Sequence, residues 1–62
     1  MPFIEIKMWK GRSKEVKKKM IEKVTAAIVE SIECPAEAVH LVVTEVDKDD
    51  WAIGGKRCSE RQ

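Results

Sequence analysis

Little in this 62-residue chain is aromatic, rigid or reactive: it holds one phenylalanine, two tryptophans, no tyrosine, two prolines, three glycines, two cysteines and one histidine. Each scarcity excludes something. Cys34 and Cys58 allow one disulfide at most, so this is not a stapled miniprotein, and both are expected to be reduced thiols. A lone His40 without ligands at metal-site spacing offers no metal centre, and Asp47, Asp49 and Asp50 read as turn and cap residues. No phosphate-binding glycine loop and no Ser/His/Asp arrangement is present, so no cofactor is expected. No apolar run approaches the ~20 residues of a membrane span, and no apolar export segment follows a charged start, which points to the cytoplasm. A net charge of +1 gives no reason to expect nucleic acid as a partner.

What the chain has is aliphatic and charged residues, 44% hydrophobic and 37% charged. Its many Lys and Glu, beside no asparagine and one glutamine, resemble the bias of hyperthermophile proteins. Residues 1–62 suffice for one domain, but a core this small rarely supplies more than ~3–5 kcal/mol of net stability. Association with further copies of the chain is the expected source of the rest.

Three periodicities organise the chain. Over residues 2–9, Ile4, Ile6 and Met8 alternate with Phe3, Glu5, Lys7 and Trp9, the period of a strand. After "KGRS", Ser13 is a candidate N-cap and Glu15 favours the positive end of a helix dipole. Val16, Met20, Ile21, Val24, Ala27, Ile28 and Ile32 then recur at helical spacing as one apolar stripe, with Lys14, Lys17, Lys18, Glu22, Glu30 and Glu33 on a solvated face. Cys34-Pro35 is expected to stop the helix. In "AVHLVVTEV", Val39, Leu41 and Val43 oppose His40, Val42, Thr44 and Val46, so both faces of this second strand are largely apolar. One helix covers one face of a two-stranded sheet, so another copy of the protein is expected on the other. Strand, helix, strand implies a parallel pair with a right-handed crossover. Gly54-Gly55 supplies the positive φ angles of a two-residue turn, closing a short C-terminal hairpin suited to pairing with a neighbouring subunit. The fold expected is α/β (α+β): a single βαβ unit with parallel strands and a C-terminal β-hairpin.

At ~3.3 Å per residue, Arg12 lies on the order of 25–30 Å from Pro2 of its own chain. Neighbouring chains that pair their first strands antiparallel would set the Arg12 end of one beside the Pro2 end of the next. Any site using both residues is then shared between subunits.

Pro2 behind Met1, "GRS" at 11–13, "CP" at 34–35, "VVTEV" at 42–46 and "IGG" at 53–55, in this order and spacing, resemble the 4-oxalocrotonate tautomerase family, whose catalytic group is an amino-terminal proline. The resemblance spans nearly the whole chain and implies a tautomerase-like hexamer, a trimer of dimers. It implies that Met1 is removed and that the Pro2 amine is the general base, carrying a proton along an enol or dienol of a small 2-hydroxy-enoate acid to give the keto isomer. Terminal amines titrate near ~8 in model peptides, and burial or a nearby cation draws that value toward neutrality, where a proton shuttle works best. Proline also loses no ladder hydrogen bond at a strand start, which is the plainer reason for its presence there. Arg12 matches the family arginine that grips a substrate carboxylate, a role its planar fork suits. Trp51 matches an aromatic that keeps the pocket dry, and Trp9 stands where the first strand meets substrate; interface packing is the plainer role for both, and the two roles can coexist.

His40 departs from the pattern, standing where well-studied members carry a second arginine. An imidazole offers one donor rather than a fork and charges fully only toward acid pH. Dicarboxylate dienols are therefore expected to be handled less well than monocarboxylate enols such as aryl enolpyruvates. Ala52 replaces a glycine common before the IGG turn. Two other readings stay open: a hydratase or decarboxylase acting on a small unsaturated or oxo acid, and a non-catalytic oligomeric binding module if Met1 is retained.

Overall fold

Alternation of β-formers, a capped amphipathic run and a Gly-Gly turn build the expected order of elements. The computed structural model describes residues 1–60. Strand β1 (Phe3–Trp9) leads into helix α1 (Lys14–Ile32), strand β2 (His40–Val46) and a hairpin of β3 (Ala52–Ile53) and β4 (Lys56–Arg57), with short 3-10 turns at Ala36–Ala38, Lys48–Asp50 and Cys58–Glu60. β1 and β2 pair in parallel from Phe3↔His40 to Trp9↔Val46. The hairpin is a separate antiparallel pair, Ala52↔Arg57 and Ile53↔Lys56. Its turn glycines have φ of 62° and 84°, both in the left-handed region that glycine enters without a Cβ penalty.

Ser13 caps α1 as expected, its Oγ accepting the Val16 N–H at 3.2 Å. The helix ends ahead of Cys34-Pro35, as expected, and Glu33 caps that end by adopting a left-handed conformation at φ 55°, ψ 55°, a role usually given to glycine. The apolar stripe is rotated. Lys17, Met20, Val24, Thr25, Ile28 and Val29 are the half-buried helix positions, whereas Val16, Ile21, Ala27 and Ile32 are exposed.

Lys17 does not belong to the solvated face: its Nζ pairs with Glu45 on β2 at 3.0 Å, both side chains mostly shielded. This pair ties α1 to the sheet face carrying Ile4, Ile6, Met8, Leu41 and Val43, all half-buried. Glu45→Gln should lower stability by about 1–2 kcal/mol, between the cost of an exposed and a buried pair. Urea unfolding at fixed protein concentration measures it. In contrast, Lys18 and Glu22 meet in the open at 2.6 Å, and the hydrogen bond that Lys18 donates to Glu22, reinforced by the carboxylate charge, raises the Lys18 pKa.

Among the described residues only Cys58 is buried. The opposite face of the sheet carries Phe3, 64% exposed, and Val42, 46% exposed. A folded monomer of 7.1 kDa should expose about 4,100 Å², and this chain exposes 5018 Å². The excess is close to the ~800 Å² that one partner contributes to a standard interface.

Candidate active site

Parallel pairing sorts the five candidate residues into two groups at opposite ends of the sheet. At the end where both strands start, the His40 N–H donates to the Pro2 carbonyl at 3.0 Å, which extends the ladder one residue beyond the Phe3↔His40 pair. Pro2 is half-buried and His40 exposed. At the other end, the Lys10 N–H donates to the Val46 carbonyl at 3.1 Å. Gly11, at φ 126°, then turns the chain toward α1. That angle is unfavourable for any residue with a Cβ, so the glycine sets how Arg12 leaves the strand.

Arg12 lines an open, largely apolar cavity of about 490 Å³ together with Met8, Trp9, Met20, Trp51 and Ile53. It is the sole charged member of that lining, so a carboxylate entering the cavity meets one guanidinium beside apolar walls and can form charge-assisted hydrogen bonds with it. Trp9 and Trp51 meet edge to face, with ring centroids 6.1 Å apart and planes at 81°. Trp51 reaches this position because the Lys48–Asp50 turn reverses the chain after β2, and its carbonyl accepts the Cys58 N–H at 2.7 Å. Asp47 caps that turn by accepting the Asp49 N–H at 3.0 Å, as the sequence suggested.

Trp9, Arg12 and Trp51 thus come together, as do Pro2 and His40, and the length of β1 keeps the two groups apart within one chain. Sequence reasoning missed three lining residues, Met8, Met20 and Ile53. The methionines sit in the apolar patterns of β1 and α1 and read as core, and nothing in either pattern marks them as facing a cavity. Among the described residues no group of three or more side chains is placed to hold a metal ion, and no helix is long and apolar enough to cross a membrane.

This arrangement has relatives. The family model described as Tautomerase enzyme matches residues 2–61. A probable tautomerase of Bacillus cereus is 43% identical over 61 residues, spanning 98% of this chain and 100% of its own. A 2-hydroxymuconate tautomerase of Comamonas testosteroni is 45% identical over 60 residues, spanning 97% of this chain and 95% of its own. Among solved structures, a heterohexameric 4-oxalocrotonate tautomerase from Chloroflexus aurantiacus superposes with a TM-score of 0.93 at 31% identity, covering 100% of both chains. A βαβ unit of this size, with a lone arginine in an aromatic-walled cavity and matches running from Pro2 nearly to the last residue, leads to one conclusion: the chain belongs to the 4-oxalocrotonate tautomerase family of the tautomerase superfamily and is an isomerase.

Proposed function

We propose that the chain, as one domain over residues 1–62, ketonises small 2-hydroxy-enoate acids in the cytoplasm at sites shared between copies of itself in a homo-oligomer. A hexamer built as a trimer of dimers is the assembly in this reading. The observation that carries it is the division of the candidate residues: the Arg12 cavity and Pro2 lie at opposite ends of β1, in a chain whose open sheet face and excess surface fit a partner. Antiparallel docking of two β1 strands would join Arg12, Trp9 and Trp51 of one subunit to Pro2 and His40 of the next.

Removal of Met1 would expose the secondary amine of Pro2. The substrate carboxylate sits on the Arg12 guanidinium and its unsaturated chain lies against the tryptophans that wall the cavity. The amine takes the proton of the 2-hydroxyl group, the oxygen's electron pair forms the carbonyl, and the double-bond electrons shift along the chain. The carbon at the far end then receives a proton from the charged amine, which ends the cycle neutral. Apolar walls disfavour the charged amine, as does the neighbouring guanidinium. The test compares the trimmed chain with one that keeps Met1, following 2-hydroxymuconate by ultraviolet absorbance. Trimmed protein should ketonise it well above the uncatalysed rate. Protein keeping Met1, whose Pro2 nitrogen is a non-basic amide, should not, and equal rates would contradict the reading.

His40 governs substrate choice in this scheme. An imidazole offers a single donor where a guanidinium offers a fork, so a second carboxylate is held less well. In His40→Arg the ratio of kcat/KM for 2-hydroxymuconate to that for an aryl enolpyruvate should therefore rise, and an unchanged ratio would count against the role.

A further inference from the structure

Lys48 lies outside the cavity lining but reaches it through an indole. Its Nζ stands 4.6 Å from the centroid of the Trp9 ring. Its own carbonyl accepts the Trp51 N–H at 3.4 Å. One capped turn thus holds both tryptophans, Trp51 through the backbone and Trp9 through an ammonium. Asp47, Asp49 and Asp50 flank Lys48 in sequence, yet the ion pairs among the described residues are Lys17–Glu45, Lys18–Glu22 and Arg57–Glu60. The aromatic face is the contact that engages the Lys48 charge. Trp9 itself is 36% exposed at the end of its strand, and apart from the edge of Trp51 the Lys48 ammonium is the charged contact set against its ring.

We propose that Lys48 is a positioning residue for the Arg12 cavity: its ammonium, seated on the Trp9 indole, holds that ring in the orientation that walls the cavity. The kinetic consequence rests on the tautomerase reading above. The clamp acts on a binding wall and not on the group that moves the proton, so its loss should appear in KM and leave kcat alone. A cation on an aromatic face at an exposed site is worth roughly a two- to five-fold effect.

The test uses the full chain with Met1 removed and has two arms. In proton NMR, the Lys48 ε-methylene protons should lie upfield of those of the other lysines because of the indole ring current, and Trp9→Leu should abolish that shift. In ketonisation of phenylenolpyruvate, Lys48→Gln should raise KM roughly two- to five-fold at unchanged kcat and make tryptophan emission more readily quenched by acrylamide. Lys48→Arg should retain the KM and quenching of the unaltered protein, because a guanidinium stacks on indole at least as well. Absence of the upfield shift overturns the proposal, as does an unchanged KM in Lys48→Gln or an equal rise in both variants. A chain inactive on every enol would defeat the tautomerase reading instead, and the ring-current and quenching results would still decide whether the clamp exists.

Discussion

Pro2→Ala is expected to lower kcat/KM for enol ketonisation by a factor on the order of 10²–10³, the lower part of what a positioned general base contributes. The lower part applies because trimmed alanine still presents an amine. What it loses is the ring. Proline fixes φ and holds its nitrogen against the strand end, whereas an alanine amine rotates freely and points at the reacting proton only part of the time. The His40 N–H bond to the residue 2 carbonyl uses a backbone atom that alanine keeps, so the fold and assembly should survive the change. Circular dichroism and size-exclusion chromatography check that they do. Initial rates by ultraviolet absorbance then read the loss, which should fall mainly on kcat.

The second large effect is expected at Arg12. A carboxylate held by both arms of a guanidinium loses charge-assisted hydrogen bonds worth about 3 kcal/mol in Arg12→Ala, roughly 10² in KM. No other charged side chain lines the cavity to take over. Arg12→Lys should recover only part of the loss, because an ammonium presents a point charge and not a fork. An esterified substrate analogue should be indifferent to the change. Unaltered KM for the free acid in Arg12→Ala would place its carboxylate elsewhere.

The architecture was legible wherever a local rule governs it. Alternation in β1 and β2, the Ser13 cap and the Gly54-Gly55 turn each depend on residues within a few positions of one another, and all appear as read. The misses share a different cause. Glu33 in the left-handed region has no local signal, since a glutamate has no preference of its own for that conformation. Lys17 reads as solvated because its partner Glu45 lies 28 positions away on another element. Met8 and Met20 look like core in one dimension and become cavity lining only when β1 and α1 pack. Lys48 over Trp9 is likewise a meeting of the turn after β2 with the end of β1 that no short-range pattern encodes. As for the candidate residues, the distance between Pro2 and Arg12 follows from strand length and was readable, whereas the place of His40 beside Pro2 and of Trp51 beside Arg12 comes from the parallel pairing and the turn after β2. The proposed joining of Pro2 to Arg12 would be a property of the assembly, which lies beyond a single chain.

That joining is tested most directly by mixing. Pro2→Ala and Arg12→Ala chains, unfolded together and refolded as mixed oligomers, would place an intact Pro2 from one chain beside an intact Arg12 from the other in about a quarter of sites, if sites span a two-fold-related pair. The account predicts that two nearly inactive variants regain about a quarter of the unaltered rate on mixing. Activity that stays at the level of the separate variants, in oligomers shown by mass spectrometry to contain both chains, would contradict it.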